Sequence, residues 1–151
     1  MATKKEILEM GLKMEQKARD FYRRQAEELA HPGAKVLLRE MQAEEEVHVQ
    51  LFEDMLAGKP VNLGAGAPAP GQDLKIGEYL VEKPITPSST PGEILVFAIK
   101  SEMKAIKFYS EAAAQYEGSE LADLMNALVA EELAHKAKLE RLYDDEFMQE
   151  N

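Results

Sequence analysis

The chain is predicted to be all-α, an antiparallel four-helix bundle made of two repeated helical hairpins joined by a long crossover. Three observations carry that prediction. Apolar residues recur with helical period in four stretches, about 3–30, 34–56, 91–117 and 119–146. A Pro/Gly-rich tract, about 57–90, stands between the second and the third. The sequence also repeats itself at an offset of 87 residues.

The first stretch places Leu8, Leu12, Ala18, Tyr22, Ala26 and Leu29 near one helical face. It opens with Thr3-x-x-Glu6, a capping box in which hydroxyl and carboxylate satisfy amides that a helix start leaves orphaned. His31-Pro32-Gly33 breaks it from the second stretch, whose apolar face holds Leu38, Met41, Phe52 and Met55. The third stretch opens with the same box, Thr90-x-x-Glu93, and Gly118-Ser119 separates it from the fourth, with Ser119 as N-cap. Short turns within each pair force antiparallel neighbours. The 57–90 tract is too long for a turn and reads as a crossover. A bundle helix is roughly 40 Å long, and an extended tract of this length reaches roughly 100 Å, enough to run back along the bundle. The competing reading, a flexible linker between two separate hairpins, leaves each hairpin little core to bury.

The repeat is dense. Eleven of 28 positions are identical between 3–30 and 90–117, among them Glu15/Glu102, Phe21/Phe108 and Tyr22/Tyr109. Six of 22 match between 35–56 and 122–143, including Glu45/Glu132, His48/His135 and Glu53/Glu140. No gap interrupts the register across the inter-helix turn, so the two hairpins are expected to be related by a pseudo-twofold axis.

Composition narrows the chemistry. With 151 residues the chain is read as one domain, 1–151. A formal net charge of -10 argues against nucleic acid or an anionic membrane as partner, since both select a cationic face. The absence of cysteine excludes disulfides, thiolate-ligated zinc, iron–sulfur clusters and a thiol nucleophile. Any metal must be held by histidine and carboxylates. The opening MATKKEILEM lacks the apolar core of a signal peptide, and a cytoplasmic location is expected.

One polar set recurs inside both apolar stripes: Glu15 with Glu45-x-x-His48, and Glu102 with Glu132-x-x-His135. Residues three apart share a helix face, so each Glu-x-x-His can aim at one point. Glu15 and Glu45 are equidistant from the first turn, and Glu102 and Glu132 from the second, which puts all six side chains at one level. A lone Glu-x-x-His is weak in a chain with 22 glutamates. Glu28-x-x-His31 also fits, but it lies before Pro32 and is read as a solvated helix end. Two sets in repeat register are a far stronger signal. Four carboxylates buried together are costly unless cations neutralise them, and two divalent ions with two neutral imidazoles balance the charge. These donors suit iron, with manganese or zinc as alternatives.

One Glu from each of two helices and Glu-x-x-His from each of the other two is the ligand pattern of di-iron carboxylate bundles. On these residues the chain resembles the ferritin-like di-iron carboxylate superfamily, and within it the rubrerythrin-like branch, over nearly its whole length. The resemblance implies that Glu45 and Glu132 bridge two iron ions, with Glu15 and His48 completing one ion and Glu102 and His135 the other. It also implies that Tyr22 and Tyr109 stand beside the site as catalytic tyrosines, against their plainer reading as core aromatics.

Departures from the family shape the expected activity. Rubrerythrins carry a further Glu three residues after the helix-three ligand that exchanges with a His during redox; here Ala105 stands there, and Ala18 occupies the equivalent place on helix one. No cysteine is present for a rubredoxin-like domain, so electrons are expected from a separate donor protein. Glu46 stands where bacterioferritin places its haem-ligating Met, and no haem is expected. The expected function is a di-iron oxidoreductase that reduces peroxide or dioxygen, as a homodimer or larger homo-oligomer. Iron or manganese binding, storage or delivery without catalysis is one alternative, and a helical protein with a proton-shared polar core is another. Met10, Met14, Met41, Met55 and Met125 are expected in the core, Gly11 at a close helix contact, and the C-terminal DDEFMQEN as a frayed end.

Overall fold

A computed structural model of the protein describes residues 2–61 and 74–147. It contains four long helices, α1 Lys4–Glu28, α2 Pro32–Leu56, α3 Pro91–Gln115 and α4 Glu120–Glu146, and no strand among the described residues. The fold is all-α, with two helical hairpins, as predicted. The chain divides into two compact units, Met1–Gly64 and Ala65–Asn151, each holding one hairpin. The central part of the predicted crossover, 62–73, and the last four residues of the predicted frayed end lie outside the described residues.

In the first unit α1 begins at the predicted capping box. The Glu6 N–H donates to Thr3 Oγ1 at 3.1 Å, and the Thr3 N–H donates to Glu6 Oε1 at 3.1 Å. α1 stops at Glu28, two residues before the expected end, and α2 starts at Pro32, two residues before the expected start. His31 is the reason. A residue before proline is held in extended backbone, and His31 adopts φ -68 and ψ 116. From there its Nδ1 accepts the Ala34 N–H at 3.1 Å, while Pro32 takes the first helical position, where no N–H is needed. His31 is therefore a helix cap rather than a merely solvated helix end.

The core of this hairpin takes Ile7, Leu8, Tyr22 and Ala26 from α1, and Leu38, Met41, Val49 and Phe52 from α2. Met14 and Met55 are only half-buried, and Met10, expected in the core, is 48% exposed. Gly11 lies at a close contact of the two helices, as predicted. A Cβ built on it would stand 2.5 Å from Phe52 Cε1 and 2.6 Å from Cζ, and the Phe52 ring is fully buried.

The second unit repeats this plan with its own packing. α1 and α3 start and stop at the same repeat positions, and Thr90 and Glu93 form the same reciprocal cap, at 3.1 and 2.8 Å. Gly118, at φ +86, makes the turn between α3 and α4, and Ser119 Oγ accepts the Ala122 N–H at 3.2 Å as predicted. Leu95, Ala98, Ile99, Tyr109, Leu124, Met125, Leu128, Leu139 and Tyr143 fill the core. α4 runs through Glu146, and its C-cap Phe147 is 5% exposed, so of the expected frayed end Asp144, Asp145 and Glu146 are helical and exposed while Phe147 is packed. No described helix is long and apolar enough to cross a membrane.

The described part of the crossover docks on this hairpin through a short 3-10 turn, Ile76–Tyr79. Both backbone groups of Gly77 are engaged: its N–H donates to Glu140 Oε2 at 2.8 Å, and its carbonyl accepts from Lys100 Nζ at 2.6 Å. A Cβ on Gly77 would meet Ile99 Cγ2 and Met103 Sδ at 2.7 Å, so only glycine lets the backbone lie this close. Lys104 pairs with Glu82 at 3.0 Å farther along.

Two predictions follow from the caps and from Gly11. Hydrogen bonds from the Thr3 and Thr90 backbone hold the Glu6 and Glu93 carboxyls below their ordinary pKa, with the nearby Lys83 charge also lowering Glu93. A carboxyl depressed in the folded state stabilises fully above its unfolded pKa and loses that contribution as pH falls through the folded one. The melting difference between wild type and Glu6→Gln/Glu93→Gln should therefore be present at pH 7 and vanish in acid, as thermal melts followed by circular dichroism will show. Gly11→Ala gains about 1 kcal/mol of helix propensity, yet overpacks Phe52 at a typical cost of ~1–3 kcal/mol, so a net loss is expected. Adding Phe52→Leu copies the Ala98/Leu139 pair of the second hairpin and should recover at least about 1 kcal/mol relative to additivity in urea melts.

Candidate metal centre

Glu15 sits on α1, three turns after the capping box, while Glu45 and His48 lie one turn apart on α2. All three are buried in the folded chain, at 2%, 1% and 3% exposure. Each offers one donor atom, and these atoms lie within 4.8 Å of one another. His48 Nδ1 is 3.5 Å from Glu15 Oε2 and 3.8 Å from Glu45 Oε2. The second hairpin builds the same trio from Glu102 on α3 and from Glu132 and His135 on α4, at 2%, 2% and 3% exposure. Its donor atoms also lie within 4.8 Å of one another. His135 Nδ1 is 3.7 Å from Glu102 Oε1 and 3.8 Å from Glu132 Oε2. The structure thus brings together the three predicted ligands within each hairpin.

These separations are too long for good hydrogen bonds. They suit donors that share an ion. Two atoms bound to one cation at ~2.0–2.2 Å and 90–120° apart stand roughly 2.8–3.8 Å from each other. Charge gives the same answer, since each trio buries two carboxylates. A protonated imidazole would still leave one negative charge, whereas a divalent cation with a neutral imidazole leaves none. Two oxygen donors and one nitrogen suit iron, manganese or zinc, and no thiolate competes. The residues present therefore fit one divalent ion per hairpin.

The surroundings of the trios also repeat. Tyr22 and Tyr109 are buried, at 1% and 0% exposure, two turns after Glu15 and Glu102. Each meets the preceding phenylalanine edge-on: Phe21–Tyr22 with centroids 5.5 Å apart at 65°, and Phe108–Tyr109 at 5.5 Å and 68°. Of the run Glu44-Glu45-Glu46, Glu45 alone is fully buried, as predicted, and Glu46 reaches Arg19 of α1 at 3.3 Å on the exposed side.

A buried ion pair escaped the sequence reading. Lys136 and Glu140, 7% and 0% exposed, pair on α4 immediately beyond His135. The repeat comparison carried a usable signal, because Lys136 stands where the first hairpin has the buried Val49. A lysine at a core position of one half alone requires an acid at hand, and Glu140 is one turn away.

No curated protein and no solved structure gives a significant match to the chain. A family model described as Rubrerythrin matches residues 6–67 and 93–151, which span both hairpins and all six predicted ligands. Buried Glu/Glu/His trios in repeat register and a match over well over half of the chain converge: this protein belongs to the rubrerythrin family.

Proposed function

We propose that the two half-sites act together as one di-iron carboxylate centre that reduces peroxide or dioxygen, with electrons delivered by a separate donor protein. The observation that carries this reading is the duplication itself, one buried Glu/Glu/His trio per hairpin, each with a divalent ion's complement of charge. In this reading Glu45 and Glu132 would be shared between the two ions, with Glu15 and His48 holding one and Glu102 and His135 the other. A bound pair of ferrous ions would supply two electrons, enough to reduce peroxide to water or dioxygen to peroxide.

The chain's own residues set the conditions for that chemistry. Four glutamates and two histidines supply six donors from rigid helices, so their geometry is fixed before the oxidant arrives. Burial keeps bulk water from competing for the ligands and strengthens their electrostatic hold on the ions. Long helical side chains lean toward the N-terminus of their helix, which would carry Tyr22 and Tyr109 toward Glu15 and Glu102. We assign their hydroxyls the task of holding those carboxylates by hydrogen bond.

Ala105 stands where the family is expected to carry a carboxylate that exchanges with histidine, with Ala18 at the equivalent place on α1, and the chain has no cysteine for an iron–thiolate domain. These two features favour a site with a fixed ligand set, and they support iron or manganese binding, storage or delivery as the second reading. The electron donor and a homodimeric or larger assembly belong to the first.

Anaerobic titration of the metal-free protein with Fe(II) should saturate at two ions per chain and raise the melting temperature. Oxidation much faster with one equivalent of peroxide than with air will identify a peroxidase. The reverse order will identify an oxidase or ferroxidase, and slow turnover with ready release to a chelator the carrier reading. Failure to bind iron stoichiometrically would overturn the metal centre. Glu45→Ala or Glu132→Ala should lower bound metal below two ions while the far-ultraviolet spectrum stays helical; retention of both ions would remove the bridging assignment.

A further inference from the structure

The second hairpin grips the crossover with a pair of residues that the first hairpin also carries. Glu140 on α4 accepts the Gly77 N–H at 2.8 Å, and Lys100 on α3 donates to the Gly77 carbonyl at 2.6 Å. One carboxylate and one ammonium thus take both backbone groups of a single residue, each by a charge-assisted hydrogen bond. That residue must be glycine, because a Cβ there would stand 2.7 Å from Ile99 Cγ2 and 2.7 Å from Met103 Sδ. Such a clamp recognises bare backbone rather than a particular side chain.

At the repeat positions the first hairpin has Lys13 on α1 and Glu53 on α2, the same two residue types, with Leu12 and Gln16 standing for Ile99 and Met103. The helices are in matching register here. Glu15, two residues after Lys13, and His48, five before Glu53, approach to 3.5 Å, and their counterparts Glu102 and His135 to 3.7 Å. What differs is exposure. Glu140 is fully buried and Lys100 half-buried, whereas Glu53 and Lys13 both face solvent above a half-buried Leu12 and Gln16. Val49 stands where Lys136 does, so no α2 lysine one turn back shares the Glu53 carboxylate. Among the described residues neither the Lys13 nor the Glu53 side chain enters an ion pair or hydrogen bond.

We propose that Lys13 and Glu53 form a second backbone clamp, a docking site on the first hairpin for a glycine-bearing turn of another protein. The clamp of the second hairpin defines the occupant's chemistry: a turn that presents the N–H and carbonyl of one glycine together, with apolar neighbours such as Ile76 and Tyr79. Glu53 accepts the N–H, Lys13 donates to the carbonyl, and Leu12 and Gln16 lie against the bare α-carbon. A second copy of the chain does not meet the need. Its Ile76–Tyr79 turn is engaged by its own Lys100 and Glu140, and among the described residues each chain brings two clamps for one such turn. The site acts independently of any metal ion.

The test is a titration of the nitrogen-15-labelled full chain with an end-blocked peptide copying residues 74–82, LKIGEYLVE, followed by amide chemical shifts. Saturable shifts centred on Lys13 and Glu53 are expected, with a Kd of roughly 0.1–1 mM for so short a segment. Lys13→Ala and Glu53→Ala, both changes of exposed side chains, should each weaken binding about tenfold by removing one charge-assisted hydrogen bond. Arg24→Ala/Glu27→Ala removes the same charges from exposed positions farther along α1 and should bind as wild type does. The Gly77→Ala peptide should bind about tenfold more weakly than the glycine peptide. No saturable shift up to about 5 mM peptide would overturn the proposal. So would binding that Lys13→Ala and Glu53→Ala leave untouched, or shifts centred on Lys100 and Glu140, because the peptide would then be exchanging with the chain's own turn. Equal binding of the Gly77→Ala peptide would reduce the contact to general charge attraction and overturn it as well. Shifts at Lys13 and Glu53 that appear on concentrating the chain alone would make a second copy the occupant, and the assignment to another protein would fall.

Discussion

The constraint on which the architecture depends is the burial of carboxylates. Each hairpin carries two glutamates at 1–2% exposure beside a histidine at 3%, in a chain that has more than enough solvent-facing positions to avoid this. Removing a carboxylate from water costs several kcal/mol per ion unless a countercharge meets it. Surrounding packing must be good enough to hold the arrangement, and the helices supply it. Apolar residues flank the ligands on both sides, from Ile7 and Leu8 to Tyr22 and Ala26 on α1, and from Leu95, Ala98 and Ile99 to Tyr109 and Ala113 on α3. The reciprocal caps at Thr3 and Thr90 fix where each helix begins, and hence the height at which Glu15 and Glu102 stand.

Most of this was legible in the sequence because it was written twice. A single Glu-x-x-His in a glutamate-rich chain carries little information, but Glu15, Glu45 and His48 recur at Glu102, Glu132 and His135, and chance does not preserve a spacing over two helices and a turn. The caps were legible for the same reason. His31 was not, because its task as a cap depends on the backbone conformation that Pro32 imposes rather than on its own residue type. Met10 lies in a helix whose period leaves its position at the edge of the apolar stripe, and periodicity alone does not separate edge from core.

The differences between the halves tell more about packing than the identities do. Where the first hairpin sets Gly11 against Phe52, the second has Ala98 and Leu139, so the volume removed from one helix has been returned on the other. Such compensated exchanges are what a close-packed interior permits. The Lys136–Glu140 pair is a different kind of divergence. It replaces one apolar residue by a charge whose partner, Glu140, is fully buried and is itself held by Gly77 of the crossover. A residue-by-residue reading does not reveal it, because no one member of the trio is unusual by itself.

The matching ends of α1 and α3 have an evolutionary consequence. Two identical hairpins on separate chains would express every substitution in both copies, so a change that helped one metal position and harmed the other could not be kept. Once both hairpins belong to one polypeptide, a substitution is present in a single dose. Lys136 has Val49 as its counterpart, and the turn that clamps Glu140 is supplied by the connecting segment, which has no duplicate at all. A single polypeptide thus lets two like hairpins diverge independently, with the linker as the part that has no counterpart.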